Sequence, residues 1–162
     1  MFREMRRKNQ TLNDSETLEM LRTCTAGVLA VAGDDDYPYT VPLSYVYDEG
    51  RLFFHCARVG HKIDAIKRND RVSFCVIQSD EVVAEKFTTH YRSAIAFGRA
   101  RILTEDAEIR HGLNRLLEKY SPGFISEGQI EIENDWDRLC VVEIRIEHLT
   151  GKAAVEVINQ KN

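Results

Sequence analysis

The residues best placed to do chemistry lie between positions 37 and 62, a stretch that reads YPYTVPLSYVYDEGRLFFHCARVGHK. Its last three residues, Gly60, His61 and Lys62, precede Ile63, Asp64, Ala65 and Ile66, an apolar pattern at helical spacing. A helix N-terminus presents free backbone N–H groups and the positive end of the helix dipole. A preceding glycine and two basic side chains make such a terminus suit a phosphate monoester. Upstream, residues 39–48 alternate, with Val41, Leu43, Tyr45 and Tyr47 on one face and Thr40, Pro42, Ser44 and Val46 on the other. Pro42 has no N–H to give a ladder, which marks an edge strand or a bulge. Backbone groups at 41–44 are then free to pair with a flat heterocycle carried on a phosphate tail. Without a ligand, the same pattern describes an edge hairpin followed by a surface helix.

The surrounding pattern supplies the elements that must position this segment. Asp48-Glu49-Gly50 reads as the turn between 39–48 and a second, aromatic-rich strand at 52–57, because glycine takes the positive φ of a tight hairpin. Asn13 and Glu16 stand at capping-box separation before a short helix with Leu18 and Leu21 facing inward and its end near Cys24. Residues 27–32 and 72–77 read as buried strands, 78–89 as a loop with a short strand, and 91–103 as a long strand with Gly98 marking a bulge. Thr104 is placed to cap a helix whose apolar face is Leu113, Leu116, Leu117 and Tyr120. Residues 121–135, broken by Pro122, Gly123 and Gly128, read as a loop, 139–149 as the last strand, and 160–162 as a frayed tail. The sum is a mainly β, α+β chain: about six strands with three helices, a barrel with peripheral helices rather than a doubly wound sheet.

Composition narrows the classes. The 162 residues, 43% of them hydrophobic, are enough for one domain with a single core, preceded by a basic arm over 1–12. A net charge of −4 argues against a dominant nucleic-acid surface. No apolar run is long enough to span a bilayer, and the basic N-terminus lacks the apolar stretch of a signal peptide, so the expected location is cytoplasmic. Cys24, Cys56, Cys75 and Cys140 fall singly, mostly in apolar settings where a thiol is a small buried hydrophobe. His55, His61, His90, His111 and His148 are scattered, without the paired spacing of a zinc site.

The hairpin with its Gly60-His61-Lys62 step does not stand alone. With it come the opening Met5-Arg6-Arg7-Lys8, the stretch Ala94-Ile95-Ala96-Phe97-Gly98-Arg99-Ala100 and the closing VEIRIEHLTGK of 142–152. In this order and spacing they resemble the pyridoxamine 5′-phosphate oxidase-like split barrels, and among those the branch that includes the 5-nitroimidazole-resistance proteins. The resemblance implies a six-stranded split β-barrel with peripheral helices. It implies FMN, with FAD as the variant, held in a groove between the subunits of a homodimer.

Carried onto this chain, the resemblance makes His61 and Lys62 the grip on the flavin phosphate. Histidine replaces an arginine there and loses its bidentate fork and permanent charge, which leaves Lys62 the principal ligand. Thr40, Val41, Pro42, Leu43 and Ser44 match the strand that lies along the isoalloxazine, recognising it largely through backbone groups. His55, Cys56 and Ala57 match the end of the next strand, also bordering the cofactor. His55 is the candidate catalytic residue, as proton donor or electrostatic tuner of the ring, while Cys56 should point to the opposite face. Ser93 stands where related oxidases place a flavin-contacting glutamine. Trp136 either stacks over the flavin of a partner subunit or packs at a strand entry.

Two departures argue against vitamin B6 oxidation: no Arg-x-His motif closes the chain, and Ser44 replaces a lysine that helps hold the substrate phosphate. What the resemblance leaves is an oxidoreductase that takes electrons from a reduced donor and delivers them to a nitro-aromatic or another small conjugated acceptor. A haem-handling split barrel and a flavin-binding protein without turnover are the alternatives.

Overall fold

The computed structural model describes residues 2–159. Among them, seven strands form one antiparallel sheet in the order β2-β1-β5-β6-β7-β4-β3. The strands are β1 (Ala26–Ala32), β2 (Pro38–Ser44), β3 (Val46–Asp48), β4 (Arg51–Ala57), β5 (Arg71–Val83), β6 (Thr88–Ile102) and β7 (Leu139–Ala153). Five α-helices surround it: α1 (Asp14–Thr23), α2 (His61–Arg68), α3 (Asp106–Tyr120), α4 (Ile125–Asp135) and α5 (Val155–Asn159). This is the expected split barrel, with one strand more than expected.

The extra strand comes from a single residue. β2 and β3 are the two edges of the strand order, yet only Tyr45 separates them in the chain. Residues 38–44 pair with β1, and residues 46–48 pair with β4. One continuous extended segment thus borders both ends of the sheet, which obliges the sheet to curl. At Tyr45 neither neighbour supplies a ladder, and the end of α3 takes over. The Tyr45 N–H donates to the Tyr120 hydroxyl at 2.9 Å, and that hydroxyl has the Thr25 and Tyr45 carbonyls within donating range at 2.5 and 2.8 Å. Lys119 Nζ donates to the carbonyls of Cys24 (2.6 Å) and Tyr45 (3.0 Å). A buried backbone group without a partner is costly, so these side chains satisfy what the split leaves open.

The inward faces follow the alternation read from the sequence. Leu29, Val31, Tyr45, Leu52, Phe54, Phe74, Val76, Val142 and Ile144 are buried in the barrel, closed at one end by Met20 and Leu21 of α1. A second cluster lies on the other face of β4 and β7, where Phe53 and Val141 meet Leu113 and Leu116 of α3. The Asn13 side chain accepts from the Glu16 N–H at 2.9 Å, as the capping-box spacing predicts. The turn after β3 places Glu49 at φ 44° and Gly50 at φ 81°, the positive pair that a two-residue hairpin needs. The β6–β7 register shifts between Phe97 and Gly98, where a Cβ on Gly98 would lie 2.2 Å from the Arg145 carbonyl oxygen. Residues 10–12 of the basic arm are not free: Leu12 N–H donates to Gly151 O at 3.0 Å, and Gln10 is buried.

Four expectations are corrected. Residues 125–135 form helix α4 rather than a loop, seated where Gly128 lets the Leu117 side chain approach. Residues 78–89 are mostly strand, because β5 and β6 continue as a two-stranded ribbon to a turn at 84–86. Helix α3 begins after Glu105 without a side-chain cap, so Thr104 does not serve as one. The helix count is five rather than three among the described residues. No helix among them is long and apolar enough to cross a membrane.

The seam yields a stability prediction. Tyr120→Phe should cost about 1–3 kcal/mol in chemical denaturation, because Tyr45 N–H loses its acceptor. Tyr45→Phe should be neutral or stabilising, since the Tyr45 hydroxyl is buried without a hydrogen-bond partner. Equal losses in the two variants would contradict this account of the seam.

Candidate functional site

Helix α2 is fixed by one apolar stripe, with Ile63, Ala65 and Ile66 buried against the barrel. Its N-terminus therefore stays at the surface, directly after the end of β4. Gly60 precedes it at φ 129°, ψ 167°, a conformation that side chains resist, and no atom lies within 4 Å of the space a Cβ would fill. The N–H groups of Ile63 and Asp64 turn back to the Gly60 carbonyl at 2.9 and 3.1 Å. Those of His61 and Lys62 have no intrahelical acceptor, and no side chain caps the helix. Lys62 is half-buried and pairs with no carboxylate among the described residues. An uncapped helix end beside an open glycine and an unpaired ammonium is what a phosphate group requires.

The histidine of the pair is employed differently. The His61 ring stacks on Tyr39 with centroids 4.1 Å apart, and its Nε2 lies 3.6 Å from Asp34 Oδ2. Asp34 also accepts from Arg68 Nη2 at 2.6 Å. The side chain thus ties α2 to the turn between β1 and β2, and what His61 offers an anion is its backbone N–H.

That tie sets the helix end beside the edge strand. Along β2, Tyr39, Val41 and Leu43 pack on the core while Thr40, Pro42 and Ser44 are exposed. Only β1 pairs with it, so alternate residues direct N–H and C=O away from the sheet. The phosphate-type cradle and an unpaired backbone edge are therefore contiguous.

At the end of β4, His55 and Ala57 are exposed, and Cys56 faces the opposite way, half-buried against the barrel core. His55 keeps one open edge, while the protein around its other side costs the imidazolium its hydration and lowers the pKa. Cys56 Sγ lies 3.7 Å from Cys140 Sγ on β7. Ser93 and Trp136 line two other cavities. Ser93 borders one of about 210 Å³ on the outer face of β6 and β7, with Arg3, Ile95, Phe97, His148 and Lys152. Trp136 borders one of about 350 Å³ with Arg58, Lys67, Leu139 and Cys140. A larger cleft, of about 440 Å³, lies at the barrel seam, and its Asp48 and Arg115 are ion-paired to each other at 3.4 Å.

Three residues near the site were not singled out from sequence. Asp34 and Tyr39 hold His61, and Arg58 donates to the carbonyls of Leu139 (3.0 Å) and Trp136 (2.9 Å), fastening the 57–60 turn to the start of β7. Arg58, one residue past β4 and two before Gly60, carried a usable signal: a third basic side chain in the same turn.

With this geometry, the comparisons are specific. The family model for pyridoxamine 5′-phosphate oxidase matches residues 13–153. The chain belongs to that family. Among solved structures, this family member is similar to a candidate 5-nitroimidazole antibiotic resistance protein from Bacteroides thetaiotaomicron, at 21% identity over 88% of this chain and 85% of that one (TM-score 0.73). It is similar to an FAD-binding protein from Mesorhizobium loti, at 26% identity over 90% and 97% (TM-score 0.63). It is also similar to an FAD- and haem-binding protein from Mycobacterium smegmatis, at 18% identity over 96% and 81% (TM-score 0.77). A search of curated proteins returned no match.

The lowered His55 pKa predicts a pH dependence. The folded-state value lies below the ordinary 6.5, so the unfolded chain takes the proton more readily. This penalty is absent above the unfolded pKa and grows as pH falls through 6.5 toward the folded value. His55→Gln should therefore lose less thermal stability than the parent between about pH 8 and pH 5. Parallel Tm curves would contradict the placement of His55.

Proposed function

We propose that this chain is a flavin-binding oxidoreductase that holds FMN by its phosphate at the start of α2 and reduces a small conjugated acceptor, with nitro-aromatics such as 5-nitroimidazoles as the substrate class. The observation that carries the reading is the uncapped end of α2, with Gly60 open and Lys62 unpaired, set beside the free backbone edge of β2 by the Tyr39–His61 stack. Lys62 Nζ and the N–H groups of His61 and Lys62 bind the phosphate. The outward backbone groups of β2 at 40–44 meet the polar edge of the ring system, and Thr40 and Ser44 add hydroxyls on the exposed side. His55, whose pKa burial lowers, relays a proton toward the acceptor through its imidazole or tunes the ring electrostatically. Bound flavin supplies the electron transfer itself, which asks little of the protein beyond orientation and one open face. Family membership and the flavin-binding proteins among its structural neighbours support the cofactor class. Ser44, where the resembled oxidases carry a lysine, argues against pyridoxamine phosphate as substrate.

The same reading makes the working unit a homodimer in the cytoplasm, with flavin at the subunit interface. Its support is an apolar outer surface along β5 and β6, where Ile77, Val82, Phe87, Ile95 and Phe97 remain exposed. Exposed apolar side chains grouped on one sheet face suit an interaction site. A second copy would cover it and bring the Ser93 cavity to the neighbouring flavin.

Two experiments test the proposal. In fluorescence titration, Lys62→Ala should weaken FMN about 10–100-fold, the loss expected for one charge-assisted phosphate contact, and leave riboflavin affinity nearly unchanged. An unchanged FMN affinity, or an equal loss for riboflavin, would remove the phosphate site. In light scattering, the parent should be a dimer, and Ile95→Lys a folded monomer that no longer retains FMN. A dimeric Ile95→Lys would move the interface elsewhere. The haem alternative predicts instead a sharp haem band in the absorbance of the purified protein and FMN binding indifferent to Lys62.

A further inference from the structure

Cys56 and Cys140 fall 84 residues apart and carry no motif, yet the fold makes them neighbours. They are directly opposite in the β4–β7 register, with Sγ atoms 3.7 Å apart. Opposed residues of an antiparallel pair hold their Cα atoms about 4.5–5.5 Å apart, inside the range a disulfide spans. Closing the bond needs only side-chain rotation and a shortening to about 2 Å. Cys24 and Cys75, the other free thiols, have no such partner.

One member of the pair borders a cavity. Cys140, largely buried, is among the residues lining the cavity of about 350 Å³, which also carries Arg58 and Lys67, with Asp106 as its one carboxylate among the lining residues. Its chemistry favours an anion. We propose that Cys56 and Cys140 form a redox-active dithiol, which anionic low-molecular-weight disulfides entering this cavity convert to a cross-strand disulfide.

The environment divides the labour between the two sulfurs. The contact with Cys56 and the charges of Arg58, Lys62 and Lys67 pull Cys140 below the ordinary thiol range, against the cost of its burial. Cys56 is pushed up by that same contact and by burial. Burial raises Cys24 and Cys75 as well. Cys140, the one of the two that lines the cavity, is the attacking thiolate. It displaces one thiolate from the incoming disulfide and forms a mixed disulfide. Cys56 then gives its proton to the second leaving thiolate and attacks Cys140 Sγ. The two protein thiols are oxidised by two electrons, and one disulfide is reduced to two thiols. The product pins the end of β4 to the start of β7. A reducing thiol pool would reverse it.

The test uses the full-length protein exposed to glutathione disulfide at neutral pH, quenched with N-ethylmaleimide and read by non-reducing peptide mass spectrometry. A cross-link between the Cys56 and Cys140 peptides, lighter by two hydrogens and reversed by dithiothreitol, should form about tenfold faster than any adduct on Cys24 or Cys75. Cys56→Ser should stop at a glutathione adduct on Cys140. Alkylation of both Cys56 and Cys140 after the exposure, or adducts accumulating equally on all four cysteines, would overturn the proposal. None of these readouts depends on flavin, so the dithiol and the phosphate cradle stand or fall separately.

Discussion

The structure depends on one residue where a strand changes partners. The segment 38–48 pairs with β1 before Tyr45 and with β4 after it, so the two edges of the sheet are one piece of chain. A flat sheet cannot satisfy that connectivity, and the barrel curvature follows from it. The cost is concentrated at Tyr45, whose backbone has no strand on either side. Tyr120 and Lys119 supply the hydrogen bonds, and burial lowers the Lys119 pKa although the ammonium remains hydrogen-bonded to two carbonyls. A helix end thus acts as a piece of sheet, and α3 is locked to the seam it closes.

The candidate site is a consequence of the same split. Because the chain leaves β1 at Ser44, β2 has no second neighbour and keeps an unpaired backbone edge. Because β4 runs back from the following turn past the level of Tyr45, α2 starts at the end of the hairpin away from that turn, beside the first residues of β2. The Tyr39–His61 stack and the Asp34 contacts hold the helix there. The open backbone edge and the uncapped helix end belong to separate elements, β2 and α2.

Local chemistry was legible in the sequence and tertiary pairing was not. The Asn13–Glu16 cap, the Glu49–Gly50 turn, the bulge at Gly98 and the helix opening at His61 each rest on residues close in sequence, and each is present. Helix α4 escaped because its face is weak: Ile132 is buried, but Ile125 and Ile130 stay exposed, and Pro122, Gly123 and Gly128 imitate a loop. The outer part of the β5–β6 ribbon has no buried side to impose alternation, so its strand pattern has no apolar signature. The break at Tyr45 is invisible because alternation runs through it. In the candidate site, the helix start that carries Lys62 could be read from Gly60-His61-Lys62 ahead of an apolar stripe. The occupation of His61 by Tyr39 and Asp34, and the approach of Cys140 to Cys56, arise from register across distant strands.

The measurement that bears most directly on the central claim is the visible absorption spectrum of the freshly purified protein, with the released chromophore identified by chromatography. The account predicts a yellow protein that releases FMN. A colourless protein that takes up no added flavin would contradict it and leave only the barrel.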